Sequence, residues 1–315
     1  MILRVVQLRA TKIGHKVHRG SEQQISRKSA KKTIAHKGFK MKIGIIGLGL
    51  MGGSLGLALK EKRIAQMIIG DDSNAIHRRQ ALSLGLVDEC LDLQGVLACD
   101  VVFLCTPVNA IIDIIKQIKS LTPTQTIIDF GGVKGEILKA IPRKWRKNFL
   151  SLHPMCGTEN FGPKAAFKDL YKNQIMIFVD IAESGEYQVD LAREICVKLE
   201  MNIIKMDAKS HDKHTAFISH MPHILSYALA NATLKQERAQ DIVAVAGGGF
   251  RGMVRLAKSS GVMWSAIAQQ NKAKILESIA IYEGELKKAR EMIEGDKFDE
   301  LCEWMTEANK LREIL

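Results

Sequence analysis

The 315-residue sequence lacks any apolar run approaching the ~20 residues that a membrane-spanning helix needs, which argues against an integral membrane protein. Its six cysteines include no C-x-x-C pair, and no secretory signal is present, so reduced thiols in a cytoplasmic protein fit best. The sequence also lacks internal repeats and low-complexity tracts. At this length two ordinary globular domains are expected, each large enough to bury a core.

The net charge of +12 is unevenly distributed. Residues 1–40 hold 11 Lys and Arg and one acidic residue, Glu22, whereas the remaining residues hold 35 basic and 33 acidic side chains. The body of the protein is therefore close to neutral, and the high pI reflects the N-terminal segment. Because a nucleic-acid-binding domain needs a basic patch or stripe, this distribution argues against nucleic acid as a partner.

Residues 1–40 show no sustained apolar period and contain clusters such as Arg27-Lys28, which predicts disorder. Three interpretations stay open: a solvated leader, an organelle targeting peptide, and an extension translated ahead of the natural start. Met41 stands immediately before the first predicted strand, which favours an extension or another dispensable tail. We expect a protein truncated to begin at Met41 to keep its activity.

The segment K-I-G-I-I-G-L-G-L-M-G-G-S, residues 42–54, predicts a buried strand, a glycine turn and the start of a helix. Gly47, Gly49 and Gly52 form G-x-G-x-x-G, which permits a tight turn, close approach to a pyrophosphate and helix–strand packing. The helix N-terminus offers N–H groups to phosphates. Asp72 follows Gly52 by twenty positions, at the end of a second apolar run. This spacing is typical of a dinucleotide site.

Short apolar runs alternate with amphipathic helices between residues 41 and 207, which predicts a doubly wound, mostly parallel α/β sheet of the Rossmann type. Ligands of such sheets bind beyond the carboxyl ends of the strands. The predicted strands are 42–47, 66–70, 100–105, 126–130, 149–153, 174–179 and 201–206. The predicted helices lie near 52–62, 74–84, 109–119, 134–141 and 187–199.

Residues 208–315 lose the strand signals and show apolar residues at helical spacing, as in Phe217, Met221, Ile224 and Leu225. This pattern predicts an all-helical second domain. Pro222 is expected to kink or start a helix.

His153, in S-L-H-P-M-C-G-T-E, follows a predicted strand and can titrate near neutrality. It is the leading candidate for a general base facing the nicotinamide, and a buried histidine bonded to backbone is the structural alternative. Four further histidines, His211, His214, His220 and His223, begin the helical domain. Their spacing could suggest a metal, but no matching second cluster of ligands follows, so no metal is expected.

Residues 247–264 read G-G-G-F-R-G-M-V-R-L-A-K-S-S-G-V-M-W. This segment combines three consecutive glycines, whose backbone is unshielded by side chains, with the cations Arg251, Arg255 and Lys258. A guanidinium fork suits a carboxylate, although a solvated basic turn explains the composition equally well.

Together these motifs resemble the prephenate dehydrogenase family, which includes arogenate-using members. The resemblance covers Met41 to about Leu286 and rests on six motifs in order: G-L-G-L-M-G-G-S, C-T-P-V, D-F-G-G-V-K-G, H-P-M-C-G-T-E, S-H-M-P-H, and G-G-G-F-R-G-M-V-R-L-A-K-S followed by Met-Trp. It implies a nucleotide-binding domain followed by a helical dimerisation domain, a homodimer, NAD as cofactor and prephenate as substrate.

The resemblance also implies roles for individual residues. His153 matches the catalytic histidine bonded to the substrate ring hydroxyl, and Arg255 matches the arginine that holds a substrate carboxylate. Asp72 matches the acid that favours NAD over NADP, with Asp71 as an adjacent alternative. Residues that match the substrate pocket are His223, Thr158, Glu159, Gly248 and Trp264. Residues that match the cofactor site are Gly47, Gly49, Leu50, Met51, Gly52, Asp72, Thr106 and Pro107.

Two departures from the family pattern affect the expected site. Gly132 stands where the family commonly has a serine whose hydroxyl lies near the histidine, so either water substitutes or turnover is lower. Gly252 and Ser260-Gly261 replace an acidic residue and Asp-Pro near Arg255. Other functions stay open: arogenate oxidation, a 3-hydroxyacid dehydrogenase with a catalytic lysine in the helical domain, and a non-catalytic dinucleotide sensor.

Overall fold

Eight strands form a single sheet in the order β3-β2-β1-β4-β5-β6-β7-β8, parallel throughout except for the antiparallel pair β6–β7. The computed structural model describes residues 41–314, so the predicted disordered leader lies outside the described residues. The strands are β1 (Lys42–Ile46), β2 (Met67–Asp71), β3 (Glu89–Cys90), β4 (Val101–Leu104), β5 (Thr126–Asp129), β6 (Phe149–Pro154), β7 (Ile175–Val179) and β8 (Asn202–Met206).

Helices cover both faces of the sheet, which explains why its central strands are apolar at consecutive positions. Strands β4 and β5 are buried along their whole length. The helices of this part are α1 (Leu50–Glu61), α2 (Ala75–Ser83), α3 (Leu93–Leu97), α4 (Val108–Gln117), α5 (Gly135–Ala140) and α6 (Glu186–Lys198).

From Ala208 onward the described chain is helical, and the predicted fold class is confirmed. The helices are α7 (Ala208–Thr215), α8 (Met221–Gln236), α9 (Ala239–Val245), α10 (Gly248–Val254), α11 (Gly261–Gln270), α12 (Lys272–Glu294) and α13 (Phe298–Ala308). A π-helical turn, Ala216–His220, joins α7 to α8, and Pro222, where the sequence predicts a kink or a helix start, is the second residue of α8. Among the described residues, no helix is long and apolar enough to cross a membrane.

Helix α11 packs the helical part against the sheet part. Trp264 and Ile267 of α11 are buried in the same apolar cluster as Ile111 of α4. Beside this cluster, the side-chain amide of Asn109 donates to Gln269 Oε1 at 2.8 Å, and the side-chain amide of Gln270 donates to Asn109 Oδ1. Because α4 begins at the carboxyl end of β4, this contact places the helical part beside the edge of the sheet where ligands bind.

Candidate active site

The glycine turn between β1 and α1 leaves no room for side chains at two of its positions. Gly47 has φ of +93°, and a Cβ on Gly52 would lie 1.9 Å from the Gly47 carbonyl oxygen. By contrast, a Cβ on Gly49 would find no heavy atom closer than Gly162 N at 3.9 Å, so the turn is open there. No side chain caps the first turn of α1, which begins with Leu50 and Met51. The helix N-terminus therefore presents backbone donors suited to a phosphate.

Asp72 holds the glycine turn in place from the end of β2. Its Oδ2 accepts the backbone N–H of Leu48 at 2.9 Å, and its Oδ1 accepts that of Asn74 at 2.9 Å. The neighbouring acid, Asp71, is instead paired with Arg78 Nη1 at 3.1 Å. Of the two adjacent acids, Asp72 is therefore the one whose side chain lies at the turn.

Thr106 and Pro107 follow β4 on the opposite side of the turn. Thr106 Oγ1 is buried and has no hydrogen-bond partner among the described residues, which makes it a polar atom available to a ligand. Pro107 stands at the N-cap of α4. An uncapped helix N-terminus, a turn without side chains, a carboxylate at the turn and an unpartnered hydroxyl fit a dinucleotide cofactor.

His153 lies at the end of β6 and is joined to the helical part by a chain of hydrogen bonds. Its Nδ1 lies 2.8 Å from His211 Nε2, and His211 Nδ1 lies 2.8 Å from Asp212 Oδ1. Asp212 also accepts the backbone N–H groups of Lys134 at 2.9 Å and Gly135 at 2.8 Å. Hydrogen bonds through His211 and Asp212 of α7 therefore link His153 of β6 to the start of α5.

Burial and neighbouring cations keep these histidines neutral. Burial lowers the pKa of His153 well below its usual range, and His211, Lys134 and His220 lower it further. Burial also lowers the pKa of His211, against the opposing effect of Asp212. For Asp212, burial acts to raise the pKa, but the hydrogen bonds from His211, Lys134 and Gly135 hold it below the usual value. A neutral His153 can accept a proton near neutral pH.

Lys134 is fully buried beneath His153. Its ammonium binds Asp129 Oδ1 and donates to the carbonyl oxygen of Leu152 at 2.6 Å. Burial lowers the pKa of Lys134, against the opposing effect of Asp129. Because Leu152 precedes His153, this ion pair anchors the strand end from which the candidate base projects.

Gly132 borders the free face of His153. A Cβ on Gly132 would lie 4.0 Å from His153 Nε2 and no closer than 3.6 Å to any other heavy atom, the nearest being Ile267 Cδ1. His220 hydrogen-bonds the backbone of Gly132, and Asn271 Nδ2 lies 3.2 Å from His220 Nδ1. The side chain missing at Gly132 therefore leaves open space beside the nitrogen that would accept a proton.

Trp264 and His223 stack face to face, with ring centroids 3.5 Å apart and an interplanar angle of 22°. His223 Nδ1 lies 2.8 Å from the Ser219 carbonyl oxygen, which fixes the ring and leaves Nε2 for another partner. His220 meets the same tryptophan edge to face at 5.9 Å. Trp264 Nε1 is buried without a hydrogen-bond partner among the described residues. Two predicted pocket residues, Trp264 and His223, are thus brought together.

Arg255 is joined to the loop that follows His153. Its Nη1 lies 2.8 Å from Glu159 Oε2, although half of the arginine side chain is exposed. Thr158 precedes Glu159 in this loop and accepts the backbone N–H of Asn160 at 3.3 Å. Gly248 begins α10, where a Cβ would meet no heavy atom within 4 Å. The structure thus connects Arg255 to Glu159 and adds no contact for Gly248.

Three of the four clustered histidines, His211, His220 and His223, take part in hydrogen bonds. Within residues 41–314, no group of three or more His, Cys, Asp or Glu side chains is arranged to hold a metal ion. An open cavity of about 670 Å³ lies elsewhere, on the outer side of α2 and α3, lined by Arg78, Arg79 and Cys90 among others. It contains none of the predicted site residues.

The sequence motifs assigned no role beside His153 to Lys134, Asp212 or Asn271, and they marked His211 only as one member of a histidine cluster. His211 is separated from His153 by 58 positions, and Asn271 from His220 by 51. No local spacing links such residues, and only the folded chain shows that they meet. The available signal was the His-Asp pair itself, at the start of the histidine cluster.

Comparison with known proteins identifies two matching family models. The model described as "Prephenate dehydrogenase, nucleotide-binding domain" matches residues 55–205. The model described as "Prephenate dehydrogenase, dimerization domain" matches residues 207–307. These matches follow one another along the chain with a single residue between them.

Relatives and solved structures agree with the family models. A prephenate dehydrogenase of Lactococcus lactis is 30% identical over 87% of this chain and 77% of its own length. The structure of prephenate dehydrogenase from A. aeolicus, in complex with hydroxyphenyl propionate and NAD+, superposes with a TM-score of 0.79 at 28% identity, covering 87% of this chain and 97% of that one. Arogenate dehydrogenase of Synechocystis superposes with a TM-score of 0.67 at 28% identity, covering 87% and 99%.

Proposed function

The chain belongs to the prephenate dehydrogenase family, and on this premise we propose that it catalyses the NAD-dependent oxidative decarboxylation of prephenate. The product is 4-hydroxyphenylpyruvate, an intermediate of tyrosine biosynthesis. The observation that carries the proposal is the position of His153 at the carboxyl end of β6, held through Nδ1 with Nε2 facing the open space at Gly132.

In the proposed reaction, His153 Nε2 accepts the proton of the substrate ring hydroxyl. Bound NAD would supply the acceptor for the hydride that leaves the carbinol carbon. The ring carboxylate leaves as carbon dioxide, and its bonding electrons complete the aromatic ring as a phenolate, whose oxygen takes the proton back from His153. Lys134 holds the strand end that carries His153 by donating to the carbonyl oxygen of Leu152. General-base assistance of this kind raises the reaction rate by roughly 10²–10⁴-fold.

For cofactor binding, we propose that Gly47, Gly49 and Gly52 with the first turn of α1, which begins at Leu50 and Met51, hold the pyrophosphate. Asp72 would bind the ribose hydroxyls, where its charge disfavours a 2′-phosphate. Thr106 and Pro107 would border the nicotinamide side, and the unpartnered Thr106 hydroxyl supports that position.

For substrate binding, we propose that Arg255 holds a carboxylate by a charge-assisted fork. Its present partner, Glu159, lies in the loop after His153, so the guanidinium is already directed towards that end of the sheet. Trp264 and His223 would form an aromatic wall, and Thr158 and Gly248 would complete the pocket. The stacked pair Trp264–His223 supports the wall.

We further propose a cytoplasmic homodimer assembled through the helical domain, without a nucleic-acid partner. The match to a dimerization domain and the exposed apolar residues of α9 support the dimer. All six cysteines lie in the described part of the chain and are free thiols, which supports a reducing compartment. The near-neutral charge of the sequence beyond residue 40 supports the absence of a nucleic-acid partner.

Arogenate is the second candidate substrate, because the Synechocystis arogenate dehydrogenase shares 28% identity across 87% of this chain. The two compounds differ only in the side chain, which carries an amine in arogenate and a keto group in prephenate. Both present the same ring hydroxyl and carboxylates to His153 and Arg255.

The deciding measurement is the rate of NADH formation with prephenate and, separately, with arogenate. We expect turnover with prephenate and a higher kcat/KM for prephenate than for arogenate. A reversed preference would reassign the substrate. NADH binding without turnover of either compound would instead identify a dinucleotide sensor.

Replacing His153 with Asn tests the assigned base in the same assay. The amide cannot accept the hydroxyl proton, so we expect kcat to fall by roughly 10²–10⁴-fold. The Kd for NADH, measured by fluorescence titration, should stay within about twofold of the wild type because the glycine turn is unchanged. An unaltered kcat would remove His153 from the mechanism.

A further inference from the structure

We propose that His211 and Asp212 form a positioning pair that fixes the tautomer of His153, an inference that rests on the proposed dehydrogenase function. The pair lies at the start of the helical part, whereas His153 lies on the sheet. The helical part would thus supply a component of proton transfer in addition to any residues that bind the substrate.

The first step of the argument is the fixed position of the Asp212 carboxylate. Its Oδ1 accepts the backbone N–H of Lys134 at 2.9 Å, and its Oδ2 accepts that of Gly135 at 2.8 Å, at the start of α5. These two bonds hold the carboxylate independently of any histidine. An ionised carboxylate can only accept hydrogen bonds, so the nitrogen of His211 that lies 2.8 Å from Oδ1 carries a hydrogen.

The second step follows from the two nitrogens of a neutral imidazole, of which one donates and the other accepts. Since His211 Nδ1 donates to Asp212, its Nε2 accepts. The atom 2.8 Å away, His153 Nδ1, must then donate. The remaining nitrogen of His153, Nε2, therefore carries the lone pair, and it is this nitrogen that borders the open space at Gly132.

The third step concerns the charge that develops during the reaction. When His153 Nε2 takes the substrate proton, the imidazolium donates from Nδ1 to a neutral acceptor, with the Asp212 carboxylate one ring beyond it. His211 is fully buried, so water does not replace it as the acceptor. Only the substrate proton changes its bonding partner, and His211 and Asp212 keep their hydrogens throughout.

Nuclear magnetic resonance of the full-length protein labelled with ¹⁵N-histidine tests the tautomer without reference to turnover. The resonances of His153 are assigned by their loss in His153→Asn. We expect the wild type to carry the hydrogen on His153 Nδ1 and His211→Leu to shift towards hydrogen on Nε2. A wild-type ring with its hydrogen on Nε2, or an unchanged tautomer in His211→Leu, would overturn the proposal.

Kinetics of two variants separate positioning from general structural damage. His211→Leu removes the acceptor, and we expect kcat to fall by about 100-fold because the base is misoriented. His211→Gln offers an amide oxygen to His153 Nδ1, and we expect kcat to recover to within about tenfold of the wild type. KM for prephenate and Kd for NADH should stay within about twofold in both variants. Equal losses in the two variants would contradict the pair.

His214→Leu is the matched control, because His214 lies on the same helix with an exposed side chain. We expect its kcat and its His153 tautomer to equal those of the wild type. The proposed function is tested by a different result: it would be wrong if the wild type oxidised neither prephenate nor arogenate. The tautomer measurement still decides whether His211 and Asp212 orient the ring.

Discussion

At the scale of single residues, Gly132 sets how the candidate base meets its substrate. Because glycine has no side chain, space is left beside His153 Nε2, where the family commonly places a serine hydroxyl. We expect Gly132→Ser to raise kcat by up to about fivefold, because one additional hydrogen bond to the reacting hydroxyl contributes about 1 kcal/mol. The Cβ fits without a clash, since its nearest neighbour would lie 3.6 Å away. Steady-state kinetics with prephenate measure the change.

Gly132→Ala is the control for that substitution, because it adds the same Cβ without the hydroxyl. We expect its kcat to equal or fall below that of the wild type. An equal gain in both variants would assign the effect to backbone stiffening, and no gain with serine would mean that solvent already supplies the missing hydrogen bond.

Arg255 has a different role, because it is held by Glu159 while half of its side chain stays exposed. We expect Arg255→Ala to weaken substrate binding by about 1.5–3 kcal/mol, the range for hydrogen bonds to a charged group. This loss corresponds to an increase in KM of roughly 10- to 150-fold with a smaller effect on kcat. Arg290→Ala, which removes an exposed arginine from α12, should leave KM unchanged. A normal KM in Arg255→Ala would place the carboxylate site elsewhere.

At the scale of elements, the π-helical turn Ala216–His220 carries a buried histidine whose protonation opposes folding. The pKa of His220 is lowered to about 4, chiefly by burial and in part by His211 and His223, against the opposing effects of Asp212 and the backbone of Gly132. The unfolded chain, with an ordinary histidine pKa near 6.5, binds the proton first as the pH falls. Stability from this group is therefore complete above pH 6.5 and is lost between pH 6.5 and pH 4.

We expect the free energy of unfolding to decrease by about 2 kcal/mol from pH 7 to pH 5 through His220 alone. Urea titrations at the two pH values measure the decrease. His220→Gln should make the dependence on pH shallower by this amount, whereas His214→Gln, on the exposed face of α7, should keep the wild-type dependence. Identical slopes in all three proteins would mean that His220 protonates without opening the fold.

The elements of the sheet were predictable from sequence because each buried strand is a short, continuous apolar run. Seven predicted strands are confirmed, and each predicted end lies within one residue of the observed end. The short β3 (Glu89–Cys90) and α3 (Leu93–Leu97) were not predicted. A two-residue strand carries no period, and it forms only because it pairs with β2.

The glycine turn, Asp72 and His153 could be located from the sequence because their spacing follows from local geometry. The contacts from His153 to His211 and from Arg255 to Glu159 could not, since they join residues far apart in the chain. These contacts depend on how the helical part packs against the sheet part at the α4–α11 contact. Tertiary packing of this kind leaves no periodic signal in the sequence.

At the scale of the whole molecule, exposed apolar side chains concentrate where the chain matches a dimerization domain. Val243 and Val245 of α9 are 74% and 83% exposed, and Val262 of α11 is 78% exposed. Solitary apolar residues are common on protein surfaces, but several within the helical part of one chain indicate a surface that is covered in solution. A second copy of the chain is the partner that the family match supports.

We expect the protein to elute from size-exclusion chromatography at about twice its 35.0 kDa chain mass. Val243→Glu places a charge on the proposed interface, and burying it unpaired costs several kcal/mol, so this variant should elute as a monomer. Val197→Glu makes the same change at a 67% exposed position on α6 of the sheet part and should remain dimeric. If Val243→Glu kept the wild-type mass, α9 would lie outside the interface; if the wild type itself eluted as a monomer, the active site would have to be complete within one chain.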